Sequence, residues 1–175
     1  MGTFDRFVAP KKIIQEMGDI GLGGEQLPLK LEVETFSNGS FEIRDQNKKF
    51  SILGGIDSKT GTAGISHLFL SEELRGQGNG ARILDSVEKY LEGIGVKRIY
   101  MAFQKQTTIS FLMKQGYKIV NPEQLERELY LAIGFIGIQL ERGINEQSFE
   151  SWKRGDVEFN TGGKILLKKD IASQV

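Results

Sequence analysis

From position 29 to position 70 the hydrophobic residues of this chain recur at every second place, after position 80 helical and strand periods alternate, and a glycine-dense turn separates the two regimes. Leu29, Leu31 and Val33 alternate with Lys30, Glu32 and Glu34, the mark of a strand with one face buried. Ser37-Asn38-Gly39-Ser40 offers residues that tolerate the left-handed backbone of a tight hairpin, and Phe41-Glu42-Ile43-Arg44 returns as the partner strand. Polar turns at residues 45–48 and 57–61 lead into Phe50-Ser51-Ile52-Leu53 and then into a strand over residues 62–70. The first half therefore reads as an antiparallel meander.

Beyond the turn, Ile83, Leu84, Val87 and Leu91 share one helical face, with Gly93 and Gly95 as candidate caps at its end. Ile99, Met101 and Phe103 alternate as a strand. Thr107 or Thr108 can cap a helix carrying Ile109, Leu112 and Met113, which stops at Gly116 before a strand over residues 117–120. A meander followed by helix, strand, helix and strand is a mixed α/β (α+β) fold around one mixed sheet. We expect a single domain over residues 1–175, with its core at about 29–120 plus 163–170 and an insertion over 121–162.

The flanks are less regular. Residues 10–17 fit a short helix, with Pro10 in the first turn and Ile13, Ile14 and Met17 at helical spacing, broken by the segment from Gly18 to Gly24. Gly21-Leu22-Gly23-Gly24 lacks the Lys-Ser/Thr of a phosphate loop and reads as a flexible connection. Residues 129–140 are apolar all round and read as a buried or interface helix, punctuated by Gly134 and Gly137; a homodimer through residues 122–142 is one way to cover it. Residues 141–162 are polar and poorly periodic, Trp152 being either a lid or acceptor contact or a local packing residue. A last strand is expected over residues 164–168.

Composition excludes several chemistries. There is no cysteine, hence no disulfide, zinc-thiolate site or thiol nucleophile, and a reducing cytoplasm fits. Lys plus Arg and Asp plus Glu both number 23, which argues against nucleic acid or an anionic membrane as partner. The N-terminus lacks the apolar core of a secretion signal and the Ser or Thr of a myristoylation site. The run at 129–140 is shorter than the roughly twenty residues needed to span a bilayer.

The strand at 62–70, the turn Arg75-Gly76-Gln77-Gly78-Asn79-Gly80 and the helix opening at Ala81 together make an anion site. Unpaired amides and the positive end of the helix dipole converge there, and glycines let a pyrophosphate approach the backbone. The segment resembles the acyl-CoA signature of the GNAT superfamily of N-acyltransferases, which is Arg or Gln, two residues, Gly, one residue, then Gly or Ala. Arg75, Gly78 and Gly80 match it, Ile83-Leu84 resemble the apolar pair after it, and Phe111 with Gly116-Tyr117 resemble the later Phe-x-x-x-x-Gly-Phe segment. The resemblance covers roughly residues 29–120 and the last strand.

The resemblance implies a GNAT-like central mixed sheet, a helical insertion before the last strand, acetyl-CoA or another short acyl-CoA as co-substrate, no metal, and a small-molecule or protein amine as acceptor. The backbone of Phe69 and Leu70 would pair with pantetheine, Arg75 and the amides of Gly76, Gln77, Gly78, Asn79, Gly80 and Ala81 would hold the pyrophosphate, and Lys105 occupies the position where the family often has a pantetheine-binding Asn. The tyrosine that many members use as general acid is Leu112 here. Members often carry a carboxylate or histidine where this chain has Ser66, beside His67, the only histidine. An imidazole with an ordinary pKa near 6.5 suits a base at neutral pH. Ser66 and His67 are therefore the catalytic candidates, and strand alternation would let only one of them face the acceptor. Tyr100 and Tyr117 are alternative phenols. The rival expectation is an acyl-CoA-binding module acting through protein contacts, its catalytic groups lost.

Overall fold

The computed structural model of the chain describes residues 12–21, 29–158 and 162–171. Among these residues eight strands form one mixed sheet. The meander is β1 (Lys12–Ile20), β2 (Leu29–Phe36), β3 (Ser40–Asp45), β4 (Phe50–Asp57) and β5 (Thr62–Leu70), each antiparallel to the next. After helix α1 (Asn79–Gly93), strand β6 (Arg98–Phe103) lies parallel to β5. Helix α2 (Gln106–Lys114) leads to the short β7 (Lys118–Ile119), and β8 (Ile165–Asp170) inserts between β6 and β7, giving the order β1-β2-β3-β4-β5-β6-β8-β7.

The alternation read from the sequence sorts the sheet residues. Val33, Ile43, Ile52, Ile65, Ile99 and Met101 are buried on the face covered by Ile83, Leu84, Val87 and Leu91 of α1 and by Ile109 and Leu112 of α2. The neighbouring residues Tyr100, Ala102 and Leu166 point the other way and bury a second cluster with Ile133 and Phe135. The turn between β3 and β4 is held by Asp45, a buried carboxylate whose Oδ2 accepts the amides of Asn47 at 3.1 Å and Lys49 at 3.5 Å.

Three expectations are corrected. Residues 12–17 are strand, not helix: Ile14 pairs with Glu34 and Gln15 with Val33, because the edge of β2 supplies a ladder of backbone partners that a short isolated helix lacks. Gly18 lies inside β1, just past a bulge, rather than breaking the element; the rest of the expected loop, residues 22–24, is outside the described residues, as are Pro10 and Lys11.

The apolar run at 129–140 is not one helix either. Helix α3 (Arg127–Ala132) ends where Gly134 and Gly137 take left-handed φ of 84° and 78°. Ile133 then drops into a notch where β4 and β5 carry Gly55 and Gly64. A Cβ on Gly64 would stand 2.6 Å from the Ile133 carbonyl oxygen, and one on Gly55 would stand 2.9 Å from it. Phe135 is buried beside it, whereas Ile136 is 74 % exposed. The run is thus covered by its own sheet at Ile133 and Phe135.

The polar stretch after it contains an unexpected helix, α4 (Glu146–Lys153), started by a reciprocal cap. Asn145 Oδ1 accepts the Ser148 amide at 2.8 Å and Ser148 Oγ accepts the Asn145 amide at 3.3 Å. Its Phe149 is buried and meets Trp152 edge to face at 5.7 Å, both packed on the main core, so Trp152 is a packing residue.

Candidate active site

Two neighbouring strands part in the middle of the sheet. The parallel pairing of β5 and β6 runs from Thr62 opposite Arg98 to Ile65 opposite Met101 and ends there. Beyond that level β5 stays with β4 as far as Phe50 opposite Leu70, and β6 stays with β8 as far as Phe103 opposite Ile165. A wedge therefore opens between Ser66 and Leu70 on one side and Ala102 and Phe103 on the other, with a strand edge exposed inside it.

The opening coincides with a bulge. Leu53 faces His67 but Gly54 faces Ile65, which leaves Ser66 as the extra residue. Strict alternation through Ser66 and His67 therefore does not hold. His67 shares a face with Leu53 and is exposed, while Leu68 and Leu70, opposite Ile52 and Phe50, turn towards the helices.

The turn after β5 is wound left-handed three times in succession, at Gly76 (φ 81°), Gln77 (φ 56°) and Gly78 (φ 76°). Such a run directs successive amides into one concavity suited to an anion. Gln77 is not a glycine, so the shape carries strain of about 1–2 kcal/mol, and two side chains hold it. Arg75 Nε donates to the Leu70 carbonyl at 3.1 Å, and Asn79 Nδ2 donates to the Leu74 carbonyl at 3.1 Å, Asn79 being 0 % exposed. Gly78 caps α1 without a side-chain bond, and the first turn carries no acidic residue. The Asn79 amide meets the Gly76 carbonyl at 3.3 Å, and the next amide with a backbone acceptor among the described residues is that of Arg82. The helix start keeps its positive potential for an outside anion.

Loop, wedge and α2 enclose a cleft of about 490 Å³. Phe50, Ile52, Leu68 and Leu70 form its apolar floor, Gly76, Gly78, Gly80 and Ala81 its glycine side, and Lys105, Thr107, Thr108, Phe111 and Gln115 its far wall. Arg75 and Lys105 are its cations. A Cβ on Gly76 or Gly78 would meet no protein atom within 4 Å, so these glycines are needed for their positive φ and leave the space free; one on Gly80 would press on the Phe111 ring at 3.3 Å. A diphosphate with an extended arm fits this donor set and shape.

Of the residues singled out from the sequence, Leu70, Arg75, Gly76, Gly78, Gly80, Ala81 and Lys105 line the cleft; Asn79 lies beneath it as a strut, and Phe69, opposite Ser51, turns its side chain to the other face. Thr107 and Thr108 are not caps. Lys105 is the cap position of α2, which puts both threonines in the first turn of the helix, on the cleft wall. With Gln115, at the far end of α2, they are cleft residues that sequence reading missed; the signal for the threonines was their position shortly after the wedge strand.

Neither alternative phenol reaches the site. Tyr117 is buried and its hydroxyl donates to Glu88 Oε1 at 3.1 Å; burial first, and the Glu88 carboxylate second, push its pKa far above the ordinary tyrosine range. Tyr100 belongs to the second cluster, and burial raises its pKa too. Leu112 is 0 % exposed, inside the main core. One group the sequence did not flag does stand at the wedge: Lys164 Nζ donates to the Ser66 carbonyl at 3.5 Å. No cluster of His, Asp or Glu among the described residues can hold a metal ion, and no helix among them is long and apolar enough to cross a membrane.

Residues 3–137 match the family model for the acetyltransferase (GNAT) domain. Comparison with curated protein sequences found no match. Among solved structures the chain is similar to Tetrahymena GCN5, with 15% identity, 78% of this chain and 71% of that one covered, and a TM-score of 0.48. It is also similar to a Bacillus subtilis acetyltransferase in complex with CoA (16% identity, 77% and 78% covered, TM-score 0.46). A GNAT-family acetyltransferase of Staphylococcus aureus gives 12% identity, 77% and 69% coverage and a TM-score of 0.44. At such identity and overlap none of the three bears on substrate. The family model, which takes in the meander, the glycine turn and α2, decides the assignment: the chain belongs to the GNAT family of acetyltransferases.

Proposed function

We propose that this protein transfers an acetyl or other short acyl group from acyl-CoA to a primary amine of a small molecule or protein. The observation that carries this reading is the left-handed turn Gly76-Gln77-Gly78, uncapped at the start of α1 and opening onto the wedge between β5 and β6. The amides of Gln77, Gly78, Gly80 and Ala81 receive the pyrophosphate, with Arg75 and Lys105 as its cations. Leu68, Leu70 and Phe111 flank the arm, and the strand edge from Ser66 to Leu70 offers it backbone donors and acceptors. When bound, the acyl-CoA supplies an activated thioester carbonyl.

The amine approaches from the opposite face of the sheet, where His67 lies. Holding it against the thioester recovers several kcal/mol of the barrier, about 7 or more for a well-aligned pair. With Leu112 unable to donate a proton, positioning and solvent carry most of the reaction, Ser66 helps to orient the amine through water, and His67 is the side chain that can remove its proton.

Calorimetric titration with CoA and thiol release over a panel of amines test the reading. Gly78→Asn keeps a residue that tolerates positive φ but puts a side chain where the cleft is open. It should abolish CoA binding at an unchanged melting temperature; unchanged affinity would overturn the assignment. Turnover separates an enzyme from a binding module. His67→Ala should cost less than about tenfold, and a loss of about a hundredfold or more, with a wild-type profile rising through the imidazole range, would make it the base.

A further inference from the structure

We infer that the acceptor carries an anionic group of the carboxylate kind beside its reacting amine, and that Lys164 is the residue that receives it. The inference rests on the acyl-transfer reading above, and adds to it the class of amine.

Lys164 stands at the apex of the wedge, since Ser66, whose carbonyl takes its ammonium at 3.5 Å, is the first residue of β5 past the last β5–β6 pair. From Leu70 to Ser66 the strand runs four residues, about 13 Å at the usual rise, away from the phosphate loop and towards the end where an acyl group would lie. The side of the sheet follows from alternation. Ile165 belongs to the main core and Leu166 to the second cluster, so Lys164 shares the face of Leu166, opposite α1 and α2. That is also the face of His67. The cleft's own cations, Arg75 and Lys105, are on the helix side, so the charge of Lys164 is not needed for the phosphates.

Lys164 is partly buried, and among the described residues no carboxylate lies within ion-pair distance of its ammonium. Glu141, the acid on the adjoining segment, is used otherwise: its Oε1 accepts the Gly163 amide at 2.8 Å. A partly desolvated cation resting on a neutral carbonyl gains most when a carboxylate arrives, because a charge-assisted bond is roughly twice as strong as a neutral one.

The backbone of Lys164 is also clamped before any substrate comes. Its amide donates to the Gln139 carbonyl and its carbonyl accepts the Glu141 amide, both at 2.8 Å. Little ordering remains to be done on binding, which is the condition for one contact to discriminate between substrates.

The test is a set of matched acceptors that differ only in the anionic group: α-, β- and ω-amino acids, their amides, and the corresponding decarboxylated amines, each with acetyl-CoA and thiol detection. The carboxylate member of at least one set should exceed its amide by about tenfold or more in kcat/KM. Lys164→Met should bring that ratio near one, with CoA affinity unchanged by calorimetry, and Lys164→Arg should keep the preference. Amides and simple amines turned over as well as the carboxylates in every set would overturn the inference while leaving acyl transfer standing, as would an equal loss on all acceptors in Lys164→Met. Should no amine turn over although CoA binds, N-acetylglycine and N-acetylglycinamide are titrated into the CoA complex instead, and equal or absent binding of the two overturns it. Loss of CoA binding by the wild-type protein would sink the transfer reading itself.

Discussion

Asn79→Leu isolates the strut under the glycine turn. The side chain is fully buried, and the substitution keeps its branched outline, with two methyl groups in place of the smaller amide oxygen and nitrogen, while removing the donor that holds the Leu74 carbonyl at 3.1 Å. An orphaned buried carbonyl costs about 1–3 kcal/mol. The loop above it stores a comparable amount in the left-handed Gln77 (φ 56°), so the bond is of the size needed to keep the strained form populated. If the loss falls on the loop, the Kd for CoA should rise about fivefold to a hundredfold. Gln77→Gly removes the strain and should restore part of the affinity in the double variant. Calorimetric titration with CoA reads the affinity, and thermal unfolding followed by circular dichroism reads the fold. A lowered Tm with CoA affinity within about twofold of wild type would refute the reasoning, since Asn79 would then support the helix and not the shape of the anion site.

Arg75→Ala should weaken CoA binding by about 1–3 kcal/mol, and Arg75→Lys should not restore it, because lysine has no counterpart of the Nε–H that reaches the Leu70 carbonyl. Ile133→Ala should cost about 2–5 kcal/mol of unfolding free energy in urea, the range for emptying a buried branched site, and Gly64→Ala should also destabilise, by driving a Cβ to 2.6 Å from the Ile133 carbonyl oxygen; neutral results would place residues 127–138 off the sheet. Tyr117 gives a pH signature: its folded pKa is raised above the ordinary 10.0, so its contribution is fully present below that pH and is lost as the unfolded chain ionises above it. Tyr117→Phe should flatten the alkaline fall of stability by up to about 1.4 kcal/mol per pH unit, and an unchanged slope would contradict the buried, Glu88-bonded phenol.

Those elements were legible whose local pattern and long-range partner demand the same thing. Leu29, Leu31 and Val33 alternate because one sheet face is buried, and Gly39, Gly78 and Gly116 stand where the backbone turns left-handed. The glycine turn could be read because the phosphate chemistry it suits depends on backbone, which spacing reports. Residues 12–17 misled because Ile13, Ile14 and Met17 satisfy a helical period, while the decision is made by the edge of β2, sixteen or more residues away. At Ile133 the determining partners are glycines at 55 and 64, whose meaning is the absence of a side chain. The bulge at Ser66 leaves no compositional trace, and Lys164 reaches the wedge only through a pairing with β6 that no neighbouring residue announces.

The place of β8 bears on how the molecule is made. It follows the other described strands in chain order, yet it takes an interior position, between β6 and β7. Until it arrives, β6 has a bare edge on the side away from β5, and β7 has no partner strand among the described residues. A nascent chain can therefore assemble the meander, the glycine turn and both helices beside them while still presenting an open strand to its neighbours, the situation that favours pairing between molecules. Closing the gap requires residues 165–170 to find residues 98–103 across a long intervening segment, a slow, non-local step. Production yield should thus respond to changes at β8 more steeply than its six residues suggest, because that strand ends the interval in which the half-made sheet is adhesive.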